Sequence, residues 1–446
     1  MIQKALGKIN KDRNFKELLS GSLITFVLKL FGMLLGYMVI YLISKKNGAE
    51  GVGVYSLFRQ AIMVCSIVLG LGINISILRF VGQFNNDEER HNYHFLVRYI
   101  LKLVGPGTII VGLVMILFAG DIAEFFGRPA AYKEFILALG IALPFFTFNQ
   151  IAIEFLRGLK QLRTSEFVRS VVRPLIMVIV LFVFLDHQFS NYEILYLFMA
   201  GTIVAWLFSG FSMFARLKRI AKAPVTNFSQ KELIKTSAPM MVTSVSSAVL
   251  VAIPFFFIDF FVSAEDVGTF TVPFQLAQLI TIVLVVVNTI AAPKFSELYW
   301  SKQLPELKKL IRQSSKIMFW AALILSLILI FSGKWILQFF GEEFVSGQRI
   351  LIYLVIGQFV NVASGSVGVL MNMTGRQRAL QVILLTTVVA ACIALGILVP
   401  LFGAEGGALA FMSAVIFQNI VCVVYMWRTS QFITVYVPFL SSKNAG

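Results

Sequence analysis

The sequence predicts an all-α integral membrane protein of about twelve transmembrane helices, arranged as two six-helix bundles around a central cavity. Three observations predict it. Of 446 residues, 58% are hydrophobic and 13% charged, with 43 phenylalanines and a mean hydropathy of +0.85, too little polar surface to coat a water-soluble globule. Apolar stretches of about 20 residues, the length a helix needs to cross roughly 30 Å of hydrocarbon, recur along the whole chain. The two halves of the chain also match each other in order.

The apolar runs place helices over residues 18–43, 54–78, 96–118, 134–156, 171–185, 194–214, 237–262, 269–292, 317–333, 348–371, 380–401 and 406–427. The fifth is short, starting beside Arg173-Pro174 and ending at Asp186. It is required by the symmetry of the halves. Most of the 38 lysines and arginines fall in alternate loops: Lys4, Lys8, Lys11, Arg13 and Lys16 before the first helix; Arg157, Lys160, Arg163, Arg169 and Arg173 after the fourth; Arg216, Lys218, Arg219, Lys222, Lys231 and Lys235 after the sixth. Only Lys45, Lys46, Arg128, Lys133, Lys334 and Arg349 lie on the other side. By the positive-inside rule both termini are expected to be cytoplasmic, so the net charge of +16 reflects topology, and no nucleic-acid partner is expected.

Residues 1–17 are polar and basic, without the apolar core and small-residue cleavage site of a signal peptide, so the first helix is expected to remain as an anchor. Cys65, Cys392 and Cys422 lie inside apolar runs, and His91, His94 and His187 lie in loops without ligand spacing. Neither a disulfide framework nor a metal or other cofactor is indicated.

The internal match is collinear. Lys16-Glu17-Leu18-Leu19 answers Lys231-Glu232-Leu233-Ile234, and Ala49-Glu50-Gly51-Val52-Gly53 answers Ala264-Glu265-Asp266-Val267-Gly268, with Gln60 answering Gln275. Leu96-Val97-Arg98 then answers Leu310-Ile311-Arg312, Phe125-Phe126-Gly127 answers Phe339-Phe340-Gly341, and Gly158 answers Gly375. Six crossings per half give both halves one orientation, and folds built this way bind substrate between the repeats. The expected organisation is an N-terminal bundle over 1–220 with its basic leading segment, a cytoplasmic linker over 221–236 carrying Pro224, and a C-terminal bundle over 237–446.

Motifs of enzymes are missing: no Gly-x-Ser-x-Gly, no phosphate-cradling glycine loop ending in Lys-Ser/Thr, and no long loop on the outer side,. The informative residues are Lys29 and Arg59, cations inside the first two apolar runs. A charge near the bilayer centre costs between ~3 and ~17 kcal/mol, so it persists when it faces a wet cavity or an anion. That points to transport of something anionic. Across the repeat Lys29 falls on Ser244 and Arg59 on Phe274, so a cationic cavity would draw its charge from the N-terminal half.

The C-terminal half offers neutral hydrogen-bonding groups instead: Ser237, Ser244 and Ser247; Gln275, Gln278, Thr281 and Asn288; Gln358 and Asn361. Gln60, Gln275, Gln278 and Asn288 join Lys29 and Arg59 as candidate substrate contacts, although polar groups inside bundles also bond neighbouring helices, at about 0.6 kcal/mol each. Gly32 and Gly36 read as a close helix-packing pair. Glu154, three residues before Arg157 and suited to an ion pair with it, and Asp259 are candidates for a coupling ion,. Pro144, Pro254 and Pro273 mark expected kinks.

The two matching halves, the basic amino terminus and the stretch Gly48-Ala49-Glu50-Gly51-Val52-Gly53-Val54-Tyr55-Ser56-Leu57-Phe58 resemble the polysaccharide flippases of the O-antigen, capsule and exopolysaccharide type. These belong to a superfamily shared with multidrug and toxic-compound extrusion transporters and lipid II flippases. The resemblance implies passage of an undecaprenyl-pyrophosphate-linked oligosaccharide from the cytoplasmic to the outer leaflet of the bacterial inner membrane by alternating access. It also implies membrane lipids as partners, with a polymerase and glycosyltransferases of the same pathway. Relatives that flip lipid II carry cavity arginines on their first two helices, where Lys29 and Arg59 stand here; a lysine lacks arginine's bidentate fork. The alternatives are a cation-coupled exporter of the same fold, which needs acids in its cavity, and a membrane-embedded polymerase or ligase.

Overall fold

A backbone in hydrocarbon must satisfy its own N–H and C=O groups, and the described residues accordingly form helices joined by short turns. The computed structural model describes residues 13–84, 89–127, 131–184, 187, 189–220, 228–436 and 438. The helices of the first half are α1 (Arg13–Leu69), α2 (Ile73–Gln83), α3 (Asn92–Leu117), α4 (Ala119–Phe125), α5 (Ala131–Gly158), α6 (Leu162–Phe167), α7 (Arg173–Val183) and α8 (Asn191–Leu217). Those of the second are α9 (Gln230–Phe261), α10 (Ala264–Gln278), α11 (Ile282–Trp300), α12 (Leu304–Phe340), α13 (Gln348–Ala363), α14 (Val367–Met373) and α15 (Gln377–Ser430). Lys4, Lys8, Lys11, Arg128, Asp186, residues 221–227 of the expected linker, and Lys443 lie outside the described residues.

Among the described residues nine helical stretches are long and apolar enough to cross a membrane. Two contain a break between spans: Gly48 in α1 (φ 62°, ψ −161°) and Gly403 in α15 (φ 58°, ψ −138°) take conformations that a Cβ opposes,. A further run joins α6 to α7 through one π turn, Val168–Val172. Together these make twelve crossings.

The fifth crossing therefore starts near Leu162 and not at residue 171. Arg163, Glu166, Arg169 and Arg173 hide it from a hydropathy window, and the partners of Arg169 and Arg173, described below, are tertiary. Arg173 is correspondingly far inside a helix and not in a loop. Arg59 also sits deeper along its helix than the apolar run suggests, since the second crossing starts after Gly48, about 15 Å of rise before it,.

In backbone geometry Lys160, rather than Gly158, matches Gly375. Both have positive φ, 60° and 78°, and each is followed by the same helix-ending bond, Gln161 N to Leu156 O at 2.9 Å and Arg376 N to Met371 O at 2.8 Å,. Gly158 is small for another reason: a Cβ there would lie 2.6 Å from the Val81 side chain.

By contacts the chain divides into two units, one of residues 1–47 and 58–245, the other of 48–57 and 246–446. In the first, α5 is central, packing against α2, α3 and α8, and Phe80, Tyr93, Phe155 and Leu233 are buried in its core. In the second, α13 packs against α10, α12 and α15. Here the repeat-related motifs meet reciprocally: a Cβ on Gly53 would lie 1.8 Å from Ala264 O, and one on Gly268 would lie 1.8 Å from Ala49 O. Only glycine permits backbones this close.

Candidate functional site

The charged residues of the first unit assemble from the bottom of its helices upward. Gly32 of α1 lies against the π turn, where a Cβ would be 2.4 Å from Ser170 O, whereas one on Gly36 would meet nothing within 4 Å. The packing pair read from the sequence thus packs through one member. Lys29 precedes Gly32 by three residues and shares its face. Its side chain is half-buried, and it forms no hydrogen bond or ion pair among the described residues.

Next to Gly32, Ser170 donates to the Glu166 carboxylate at 2.6 Å, and Glu166 is buried. Glu154 is engaged from two sides, by Arg169 at 2.5 Å and by Arg157 at 3.5 Å. The pair with Arg157 was legible as an i, i+3 spacing; the shorter one with Arg169 joins α5 to the π turn. A carboxylate bonded by two guanidiniums is already neutralised.

Arg173, expected in the loop after the fourth helix, stands where the π turn runs into α7. Its guanidinium carbon lies 4.4 Å from the centroid of Phe198 on α8 and 5.5 Å from that of Phe146 on α5. Such cation–π contacts contribute ~0.5–2 kcal/mol and shield the charge from hydrocarbon. Phe198 is shared: Phe58 packs on it edge to face, 5.3 Å between centroids. Arg59 follows Phe58 directly and acts electrostatically on Tyr37 of α1. One aromatic ring thus links the helix positions of two arginines. Gln60, next in sequence to Arg59, is buried.

The candidates of the second unit are neutral and largely placed by packing. Gln275 and Gln278 are half-buried on α10. The 3-10 turn Leu279–Thr281 separates them from Asn288 on α11, so the four groups do not share one uninterrupted helical face. Thr281 bonds back to the Gln278 carbonyl at 2.7 Å, while the Asn288 Oδ1 is buried without a hydrogen-bond partner among the described residues. Gln358, Asn361 and Asn419 bond each other, at 3.0 and 3.2 Å, across α13 and α15. Ser237 bonds Ser76 at 2.5 Å, within the first unit. Asp259 is buried. In place of the cation at Arg59, Phe274 stands in a ring cluster with Phe255, Phe270 and Phe411.

A family profile described as polysaccharide biosynthesis protein matches residues 18–299. Among solved structures, the chain is similar to the lipid II flippase MurJ in an inward closed conformation, with a TM-score of 0.74 and 14% identity over 91% of this chain and 87% of that one. It is also similar to a multidrug resistance MATE family transporter of the MOP superfamily in an outward-facing conformation, with a TM-score of 0.66 and 15% identity over 94% and 96% of the two chains. A MOP superfamily transporter from Pyrococcus furiosus, described as having a binding pocket of reverse polarity, gives a TM-score of 0.67 and 15% identity over 92% and 94%. At these identities the likeness is one of fold. No curated protein sequence matches the chain.

Proposed function

The chain belongs to the polysaccharide biosynthesis protein family, and from that premise we propose that it is a flippase for undecaprenyl-pyrophosphate-linked oligosaccharide repeat units. It carries them by alternating access from the cytoplasmic to the outer leaflet of a bacterial inner membrane, with both termini cytoplasmic. The observation that carries this reading is the one-sided charge. Lys29, Arg59 and Arg173 are half-buried cations within helices of the first unit, and a desolvated cation is stabilised most by an anion of high charge density, such as a pyrophosphate.

Lys29 has the role of a point charge able to follow the phosphate, since its ammonium rotates on a flexible stem. Arg59 and Arg173 are planar, fixed donors, the second held flat on Phe198. Gln60, Gln275, Gln278 and Asn288 are proposed to meet sugar hydroxyls; the Asn288 Oδ1, without a partner among the described residues, is suited to accept from one. Glu154, already bonded by two arginines, is poorly suited to hold a coupling cation, which favours the flippase over a cation-coupled exporter.

The test is complementation in a host lacking its own flippase, scoring lipid-linked oligosaccharide trapped in the inner leaflet against surface polysaccharide. Restored surface polysaccharide with wild-type protein and trapped intermediate with Lys29→Ala, at equal abundance, is the expected result. Export of a cationic drug without any effect on the oligosaccharide would falsify the reading.

A further inference from the structure

A second feature of the first unit is independent of the cations just described. Helices α3 and α8 each pack on α5, and where they part a groove of about 420 Å³ opens. Its floor is Phe148, Ile151 and Ala152 of α5; Leu101 of α3 and Phe211 and Phe214 of α8 form its walls. Leu101, Phe211 and Phe214 are exposed, and in a membrane protein that exposure is to lipid. The groove is apolar and uncharged within. Its ends differ.

At one end His94 of α3 donates to the carbonyl of Ile220, just beyond α8, at 3.0 Å, which brings the two walls together. Arg98 stands one turn before Leu101 on α3. Lys218 extends the Phe211, Phe214 stripe by a further turn at the end of α8. Both side chains are exposed. No acidic residue occurs between residues 91 and 120 or between 194 and 231, and neither cation forms an ion pair among the described residues. Each wall of the apolar trough thus carries an exposed cation next to its lining residues: Arg98, whose guanidinium lies 5.8 Å from the centroid of Phe95, and Lys218.

We propose that this groove binds one resident anionic phospholipid, an acyl chain lying over Phe148 and Ala152 and the phosphate held between Arg98 and Lys218. Basic pockets between transmembrane helices bind lipid phosphates in this manner. Length selects a phospholipid over the polyprenyl carrier. From Trp206 to Phe214 the wall runs about 12 Å at 1.5 Å per residue, close to the ~15 Å hydrocarbon depth of a single leaflet. A polyprenyl chain that spans more than one leaflet overruns it. A lipid seated there bridges α3 and α8 and neutralises charges that otherwise repel.

The experiment places the full-length protein in nanodiscs of equimolar phosphatidylglycerol and phosphatidylcholine and counts the lipids retained on release by native mass spectrometry. Wild-type protein should retain phosphatidylglycerol preferentially. Arg98→Gln and Lys218→Gln should each lower that preference about fivefold, as expected for the loss of one cation near a phosphate. Gly210 lines the groove and an added Cβ there meets nothing within 4 Å, so Gly210→Phe should fill the groove and abolish retention with an unchanged unfolding temperature. Gly210→Leu is a smaller plug should phenylalanine impair folding. Equal retention by wild-type and plugged protein, absence of a headgroup preference, or displacement of phospholipid by added polyprenyl phosphate in wild-type protein but not in the plugged variant would overturn the proposal.

Discussion

The fifth crossing of the first unit, from Leu162 to Val183, carries Arg163, Glu166, Arg169 and Arg173, whereas residues 379–404, within α15 of the second unit, carry no charge. The same contrast recurs around the second and eighth crossings. In the first unit Phe58 and Phe198 pack beside Arg59 and Arg173; in the second Phe255, Phe270, Phe274 and Phe411 pack with each other. Both units have formed the same kind of helical bundle, so the buried charges of the first are not what the architecture requires. Ionic groups removed from water rarely stabilise a bundle relative to apolar ones. Under the proposed function a ligand on that side accounts for them.

The comparison breaks most easily at its structural baseline. Gly53→Val and Gly268→Val each force a side chain into a backbone carbonyl 1.8 Å from the Cβ position, and overpacking of this kind costs about 1–3 kcal/mol or more. Membrane abundance should fall severely, while Gly36→Val, which meets nothing within 4 Å, should accumulate normally. Normal abundance of all three would mean that the reciprocal crossing does not hold the second unit.

Among variants of Arg59 that fold, charge reversal should cost more than neutralisation. Arg59→Glu replaces attraction with repulsion in a site of low effective dielectric, and turnover should drop on the order of 100-fold, about 2.7 kcal/mol of barrier. Arg59→Gln should lose roughly tenfold. Wild-type turnover in both, measured as trapped lipid-linked oligosaccharide at matched protein level, would remove Arg59 from the site.

Lys29→Ala should abolish detectable export with abundance nearly unchanged, because no described residue depends on its ammonium. Lys29→Arg should keep part of the activity, since charge attraction outlasts the change of shape. Full export by the alanine variant would leave Lys29 a bystander.

Arg173→Met keeps the aliphatic stem beside Gly201 and removes the charge that lies over Phe198. Export should fall about tenfold while the unfolding temperature holds or rises, since a buried cation is replaced by an apolar group. A lowered unfolding temperature with normal export would make Arg173 structural. The smallest effect belongs to the neutral side: Asn288→Leu should change export by roughly twofold to threefold, in line with a single hydrogen bond of about 0.6 kcal/mol.

Lys29 and Arg59 were legible because a charge inside an apolar run is visible in one dimension. Arg173 was not: with Arg169 and Glu166 it breaks the apolar run, and the pairing of Arg169 with Glu154 across fifteen positions and the two aromatic faces on Arg173 make a helix there tolerable. The packing role read for Gly32 and Gly36 held for one of them because side-by-side spacing on a helix says nothing of which residue meets a neighbour. The match between Ala49–Gly53 and Ala264–Gly268 was visible as letters, while its meaning, a mutual backbone contact, was not.

What the sequence determined by itself is what hydrocarbon imposes residue by residue. Length and polarity of each run decide which segments are helices that cross, and the duplication of motifs decides that there are two similar halves. What only the tertiary structure decided is where a helix bears charge, which glycine is a contact, and which polar group is already satisfied. Those depend on partners distant along the chain, such as Glu154 for Arg169 or Phe198 for Arg173, and a buried charge is stabilised by what surrounds it rather than by its neighbours in sequence.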